Sequence, residues 1–293
     1  MAQIVEPSIG QLPGENVFKD LLKDEGQLRA SLDKHMMSSF APDQSKELRS
    51  LTSAEVSALL GLSTSHLRKL HFDGKIPQVK ADGRGRKQYT SKDLFDIRVA
   101  LARNSKTPQN FLPGRIGDEH MQIIAVTTFK GGSGKTTSTA HLAQALNLRG
   151  YRVLVCDLDP QASLSSMFGL RPELELDESI TLYDAIRYDE PVPIRNIIQK
   201  TYFHNLDIAP GGLILSEYET ETPHAMRKGV TPPFYLRLSA ALDQVSDNYD
   251  IVLIDCPPQL GFLTMSALVA STGILIPVIP NMIDVASLSQ YLT

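Results

Sequence analysis

Residues 129–137 read FKGGSGKTT, directly after the apolar run IIAVTT and at the start of the helical stretch TTSTAHLAQALNLRG. A strand that turns through closely spaced glycines into a helix, at a Gly-Lys-Thr, fits few folds. The glycines let backbone N–H groups turn inward around phosphate oxygens, and the helix N-terminus adds the positive end of its dipole. Gly131, Gly132, Ser133, Gly134 and Thr137 are therefore candidate phosphate-loop positions. Lys135 is placed to bridge terminal phosphates, and the Thr136 hydroxyl to ligate Mg2+. The usual pattern opens with a glycine five positions before the glycine of the Gly-Lys pair. Here Phe129 holds that place, with Lys130 beside it.

The text around the loop repeats one theme. The strand-like runs QIIAVTTF, YRVLVCDLD, NLDIAP, YDIVLIDCPP and GILIPVIP alternate with helical stretches, which predicts a parallel sheet covered on both faces. Acidic residues stand at the ends of two of these strands, where open α/β sheets meet their ligands. Asp255 is placed to hold a Mg2+ water, and Asp159 to orient an attacking or metal-bound water. Asp157 is read as an organiser of its loop. Cys156 and Cys256, the two cysteines of the chain, sit within apolar runs. That suits reduced thiols in a cytosolic protein and offers no metal site by itself.

Ahead of the loop lies a different composition. Glu15 to Met37 places Val17, Leu21, Leu28, Leu32 and Met36 at helical spacing, predicting an amphipathic helix that either pairs with a second copy or packs on the next domain. Thr52 with Glu55 forms a capping box, Gly61 stops that helix, and Ser63 caps another, with Val56, Leu60, Leu62, Leu67 and Leu70 packing across the turn. The stretch IPQVKADGRGRKQYT then reads as two short strands around a Gly-rich turn, and Thr90 with Asp93 starts a further helix. This is a winged helix-turn-helix layout. The net charge of -4 on 293 residues is mild, so nucleic-acid binding would have to be local. A basic cluster supplies it: Arg68, Lys69, Lys75, Lys80, Arg84, Arg86, Lys87, Lys92, Arg98, Arg103, Lys106 and Arg115. Thr64, Ser65, Arg68 and Lys69 open the recognition helix, while Arg84, Arg86 and Lys87 lie in the wing.

The expected order is an N-terminal helical arm (1–50), a winged helix-turn-helix (51–107), a linker rich in Pro and Gly (108–120), and an α/β P-loop NTPase domain (121–293). Lys130, the loop KGGSGKTT, DLDPQ and IDCPP together resemble the deviant Walker ATPases, specifically the plasmid and chromosome partition proteins called ParA. The arm and winged module are similar to the larger ParA subtype, which includes the RepA proteins of repABC-type plasmids.

The resemblance implies ATP/ADP and Mg2+ as cofactors. It also implies a homodimer in which Lys130 reaches the partner subunit's phosphates, a ParB/RepB-type centromere-binding partner, and contacts with operator and non-specific DNA. Slow, partner-stimulated hydrolysis, autorepression and a cytoplasmic, nucleoid-associated location follow from it. Family members continue past GILIPVIP, so the end at Thr293 reads as a C-terminal truncation. Adenine contacts are placed around Pro280, Asn281 and Asp284 without a choice among them.

The alternative is a nucleotide-sensing transcription regulator without a motor role. Other classes fit less well. A nitrogenase-like reductase needs cluster-ligating thiols. A membrane-cycling relative of the MinD kind needs a basic amphipathic C-terminal helix. No apolar run approaches the roughly 20 residues that cross a bilayer, and the N-terminus lacks a signal-peptide layout.

Overall fold

The computed structural model describes residues 46–128, 130–170 and 180–282, together with several positions between 19 and 34. Residues 1–45 and 46–293 form two compact units. In the first, the described positions from Lys19 to Lys34 are helical, as the periodicity predicts. Val17, Leu21, Leu32 and Met36, which carry most of that periodicity, lie outside the described residues, as does Phe129.

The second unit opens with strand β1 (Leu51–Thr52) and helices α1 (Ser53–Leu60) and α2 (Thr64–Phe72), followed by β2 (Gln88–Tyr89) and α3 (Ser91–Arg103). Local chemistry fixes each helix start. Thr52 Oγ1 accepts from Glu55 N at 3.3 Å while Glu55 Oε2 accepts from Thr52 N at 2.8 Å. Thr90 and Asp93 repeat that box at 3.1 and 2.8 Å, and Ser63 Oγ accepts from His66 N at 3.1 Å. Gly61 ends α1 at φ 66°, the left-handed conformation glycine adopts without strain. Leu51, Val56, Leu60, Leu67, Leu70, Ile76, Tyr89, Leu94 and Ile97 close a core of their own.

One expectation needs revision. The two wing strands pair only next to the turn: Ala81 and Lys87 form an isolated bridge, flanked by Gln88 N to Lys80 O at 3.0 Å and Asp82 N to Arg86 O at 2.8 Å, and β2 also pairs antiparallel with β1, Leu51 against Tyr89. The turn is held by Asp82, whose Oδ1 accepts from Arg84 N at 2.9 Å and Arg86 N at 2.8 Å. The side chain thus adds to the backbone bonds of the tip, where Gly85 N also donates to Asp82 O at 2.8 Å.

After a short 3-10 turn (Pro108–Asn110), the chain alternates strand and helix. The elements are β3 (Gln122–Val126), α4 (Lys135–Arg149), β4 (Val153–Asp157), α5 (Ser163–Met167), α6 (Leu182–Ile186), β5 (Gln199–Lys200), β6 (Leu206–Ala209), α7 (Leu215–Lys228), α8 (Phe234–Asp243), β7 (Ile251–Asp255), α9 (Phe262–Ala270) and β8 (Gly273–Leu275). The sheet order is β5-β6-β4-β7-β3-β8. Every pair in it is parallel except β5 with β6.

Alternation along β4 and β7 explains the two covered faces. Leu154, Cys156, Val252 and Ile254 meet one set of helices through Leu182, Leu215, Tyr218, Leu238 and Leu263. Val153, Val155, Ile251 and Leu253 meet Ala140 and Ala143 of α4 on the other side. Cys156 and Cys256 are free and buried, and burial pushes both thiols up. Among the described residues no helix is long and apolar enough to cross a membrane.

Candidate functional site

Strand register assembles the site before any side chain is considered. Val126 pairs with Asp255, and Asp255 with Asp157, so the ends of β3, β7 and β4 stand in one row. β3 delivers the glycine loop to that row, and the other two strands deliver carboxylates. Gly132 and Gly134 take φ 75° and 84°, and Gly134 is the N-cap from which α4 begins. An added Cβ at Gly131 or Gly132 would meet nothing within 4 Å. It is backbone conformation, not crowding, that calls for glycine at 132 and 134.

The side chains turn toward the loop. Lys135 is buried and its Nζ donates to Lys130 O at 3.3 Å. Thr139 Oγ1, one turn into α4, lies 3.5 Å from Asp255 Oδ1. Ser133 Oγ and Asp255 Oδ2 are buried without a hydrogen-bond partner. Such groups are costly unless something polar joins them, and phosphate oxygens and a hydrated divalent cation have the chemistry to do so. Burial pushes the Asp255 carboxyl up to about 7. A hydrogen bond from Thr136 and the Lys135 charge oppose the shift, whereas Asp157 and Asp159 add to it. A bound cation would reverse the balance, so the residues present fit Mg2+.

Asp157 serves a different purpose from its neighbour. It is fully buried and accepts from Ser165 N at 2.8 Å and Ser165 Oγ at 2.7 Å, with Asp159 N at 3.4 Å. Burial pushes its carboxyl up to about 6. It ties the loop after β4 to α5, the organising part read from the sequence. Asp159 is half-buried and accepts from Gln161 N at 3.0 Å, which leaves carboxylate capacity toward solvent. Lys130 is half-buried and Thr137 exposed. Sequence reasoning missed Ser165 and Gly211. Gly211 N donates to Ser165 Oγ at 3.0 Å, and a Cβ there would stand 2.8 Å from Asp157 O. The paired glycines in APGG after β6 were the available signal. Of the three adenine candidates, Pro280 and Asn281 follow β8, and Asp284 lies outside the described residues.

In the amino-terminal module, Thr64, Ser65, Arg68 and Lys69 are all exposed on α2, as are Arg84 and Arg86 in the turn; Lys87 is half-buried. A groove of about 710 Å3 between β1, the start of α1 and the turn is lined by Arg68, Arg86 and Lys87. Two of the basic residues leave the face. Arg98 is buried, and Arg115 stands 3.8 Å from buried Asp250.

A family model described as an AAA domain matches residues 121–293. A replication protein A from Sinorhizobium fredii is 46% identical over 282 residues, covering 94% of this chain and 69% of its own length. The sporulation initiation inhibitor protein Soj of Bacillus subtilis is 39% identical over 171 residues, covering 58% and 63%. Cobyrinic acid a,c-diamide synthase from Mycobacterium smegmatis, solved with an ATP analog and magnesium, superposes with a TM-score of 0.52 at 28% identity, over 59% of this chain and 64% of that one. With the phosphate loop, its extra lysine and the row of strand-end aspartates, these likenesses establish that the chain belongs to the ParA family of plasmid partition ATPases.

Proposed function

We propose that this chain binds ATP or ADP with Mg2+ at the 130–137 loop and hydrolyses ATP in the service of plasmid partition. The observation that carries the reading is the row of strand ends, with two orphaned buried polar atoms, Ser133 Oγ within the glycine loop and Asp255 Oδ2 at the end of β7. Gly131, Gly132, Ser133, Gly134 and Thr137 line the phosphate cradle, and Lys135 sets a positive charge against the terminal phosphates. Thr136 would hold Mg2+ directly, with Asp255 and Asp159 holding its waters. When bound, the cation neutralises phosphate charge. Asp159 orients the attacking water. Lys130 reaches the phosphates of a second copy, so that nucleotide and homodimer stabilise each other.

The amino-terminal unit and the module after it are assigned as a helical arm and a winged helix-turn-helix, with 108–120 as the join to the ATPase domain. Thr64, Ser65, Arg68 and Lys69 read operator bases, and Arg84, Arg86 and Lys87 contact the backbone. The nucleotide-bound dimer also holds non-specific DNA. A ParB/RepB-type centromere-binding partner stimulates slow hydrolysis in the cytoplasm, on the nucleoid. Autorepression follows from operator binding.

The exposed face of α2 keeps a second reading alive, a nucleotide-sensing regulator with no motor role. One experiment separates them: binding to an upstream fragment and to random DNA, with ADP, with ATP and without nucleotide, alongside ATP turnover. ATP-dependent binding to random DNA with turnover abolished by Lys135→Ala supports partition. Specific binding with ADP alone, and no turnover, supports the regulator.

A further inference from the structure

Helix α9 begins without a cap of its own. Its N-cap is Gly261, and no side chain of the α9 segment bonds the first N–H groups. The cap comes from another helix. Glu219 of α7 accepts from Phe262 N at 2.9 Å through Oε2 and from Leu263 N at 3.0 Å through Oε1. A carboxylate bridging two N–H groups at a helix N-terminus is a charge-assisted contact, strengthened by the helix dipole. Gly261 is shaped around it, since a Cβ there would collide with the Glu219 carboxylate.

Between Asp255 and this cap run only the residues CPPQLG. The near end of that loop is pinned to the sheet: Cys256 N donates to Val126 O at 3.2 Å, and Leu158 N to Asp255 O at 3.0 Å. Glu219 pins the far end, and the tip, Gln259 and Leu260, is exposed. The segment that leads into this same amino-terminal end of α7 reaches the second acidic loop. Four residues before Leu215, Gly211 lies against the Asp157 and Asp159 carbonyls and donates to Ser165, which in turn donates to Asp157. The start of α7 and the segment entering it therefore touch both carboxylate loops that flank the phosphate cradle.

We propose that Glu219 is a positioning residue for the phosphate chemistry: by capping α9 from α7 it fixes the 256–261 loop relative to the Asp157–Asp159 loop. It touches neither phosphate nor cation. Its effect falls on the rate of the chemical step and not on nucleotide affinity, because the glycine loop and Lys135 are held by other contacts. The inference rests on the ATPase reading above.

The test uses the 293-residue chain. In Glu219→Gln the carboxamide keeps the shape, but its NH2 faces one of the two N–H donors, so one bond is lost. We expect kcat to fall about tenfold, with the KM for ATP and the thermal midpoint close to those of the parent. Gly261→Ala should lower kcat alone, but should add little in a Glu219→Ala background, where the obstructing carboxylate is gone. An unchanged kcat in Glu219→Gln, or a kcat that falls only as far as the folded fraction does, overturns the proposal. So does additivity of the two alanine substitutions. A parent chain with no ATP turnover would instead overturn the ATPase reading itself.

Discussion

Two carboxyl groups at the strand ends are held away from their ordinary titration, and their direction decides a measurable pH dependence. Burial pushes Asp255 up to about 7 and Asp157 up to about 6, from an ordinary value of 3.8. Between pH 4 and 7 the folded state therefore holds protons that the unfolded chain releases. Stability from these groups is fully present below the unfolded value and is lost as pH rises through the folded one. Asp255→Asn keeps the shape without the charge. In Mg2+-free, nucleotide-free solution it should be more stable than the parent at pH 8 by about 1–3 kcal/mol, the gain vanishing near pH 4. Urea titrations at both values check this, and an equal gain at both would show that the carboxylate is not the cause. Asp255, Asp159 and the loop residues were legible because a strand end followed by an acidic residue has one geometric meaning in a parallel sheet. Ser165 and Gly211 were not, because their part depends on which strand lies next to which. Sequence order alone does not state that β4 neighbours both β6 and β7.

The helix starts could be read residue by residue because a cap is a contact over three positions: Thr52 with Glu55, Thr90 with Asp93, Ser63 with His66. The wing was less legible, because part of its strand pairing is with β1, more than 30 residues away in the chain. Its turn yields a prediction in which two effects carry opposite signs. Removing Asp82 deletes a negative charge beside Arg84, Arg86 and Lys87, and electrostatics alone would tighten DNA binding. Yet Asp82 also bonds the backbone of Arg84 and Arg86 and pairs with the Arg86 guanidinium at 3.4 Å. Those backbone bonds hold its carboxyl below the usual range. The exposed Arg86 ion pair contributes little, whereas a turn left with its backbone bonds alone is looser, and binding must then order it. Asp82→Ala should weaken binding to the upstream fragment about fivefold, with the salt slope nearly unchanged. Tighter binding in a fluorescence titration would mean that charge dominates at the tip.

At the scale of the molecule, the join between the amino-terminal module and the sheet centres on one side chain. Arg98 lies on the buried face of α3, four residues after Leu94 and three before Leu101, a spacing that could have removed it from the basic cluster. Its guanidinium donates to Leu59 O at 2.8 Å, Leu148 O at 2.8 Å and Phe111 O at 3.0 Å. These carbonyls belong to the end of α1, the end of α4 and the segment between the modules. Gly150, which ends α4 at φ 107°, packs so closely that a Cβ would stand 3.1 Å from both Arg98 Cδ and Phe111 O. Burial lowers the Arg98 pKa to about 10, far enough above neutrality for the cation to persist. The same helix α4 begins at Lys135, so the phosphate loop and this clamp occupy its two ends. Arg98→Leu relieves a desolvated charge but leaves three carbonyls without their donor, at about 1–3 kcal/mol for each that water does not reach. The losses outweigh the relief, and a net destabilisation of about 2–4 kcal/mol is expected. Because the clamp lies on the seam and not within either core, the effect should be to separate the two halves in stability. Calorimetry of the parent should give one transition over residues 46–293, and Arg98→Leu should give two, the smaller at lower temperature. Arg98→Lys, which keeps a charge but cannot fork to three carbonyls, should resemble Arg98→Leu. A single unshifted transition in both variants would place the cohesion of the halves in the surrounding contacts of Ser91, Phe95 and His204 instead.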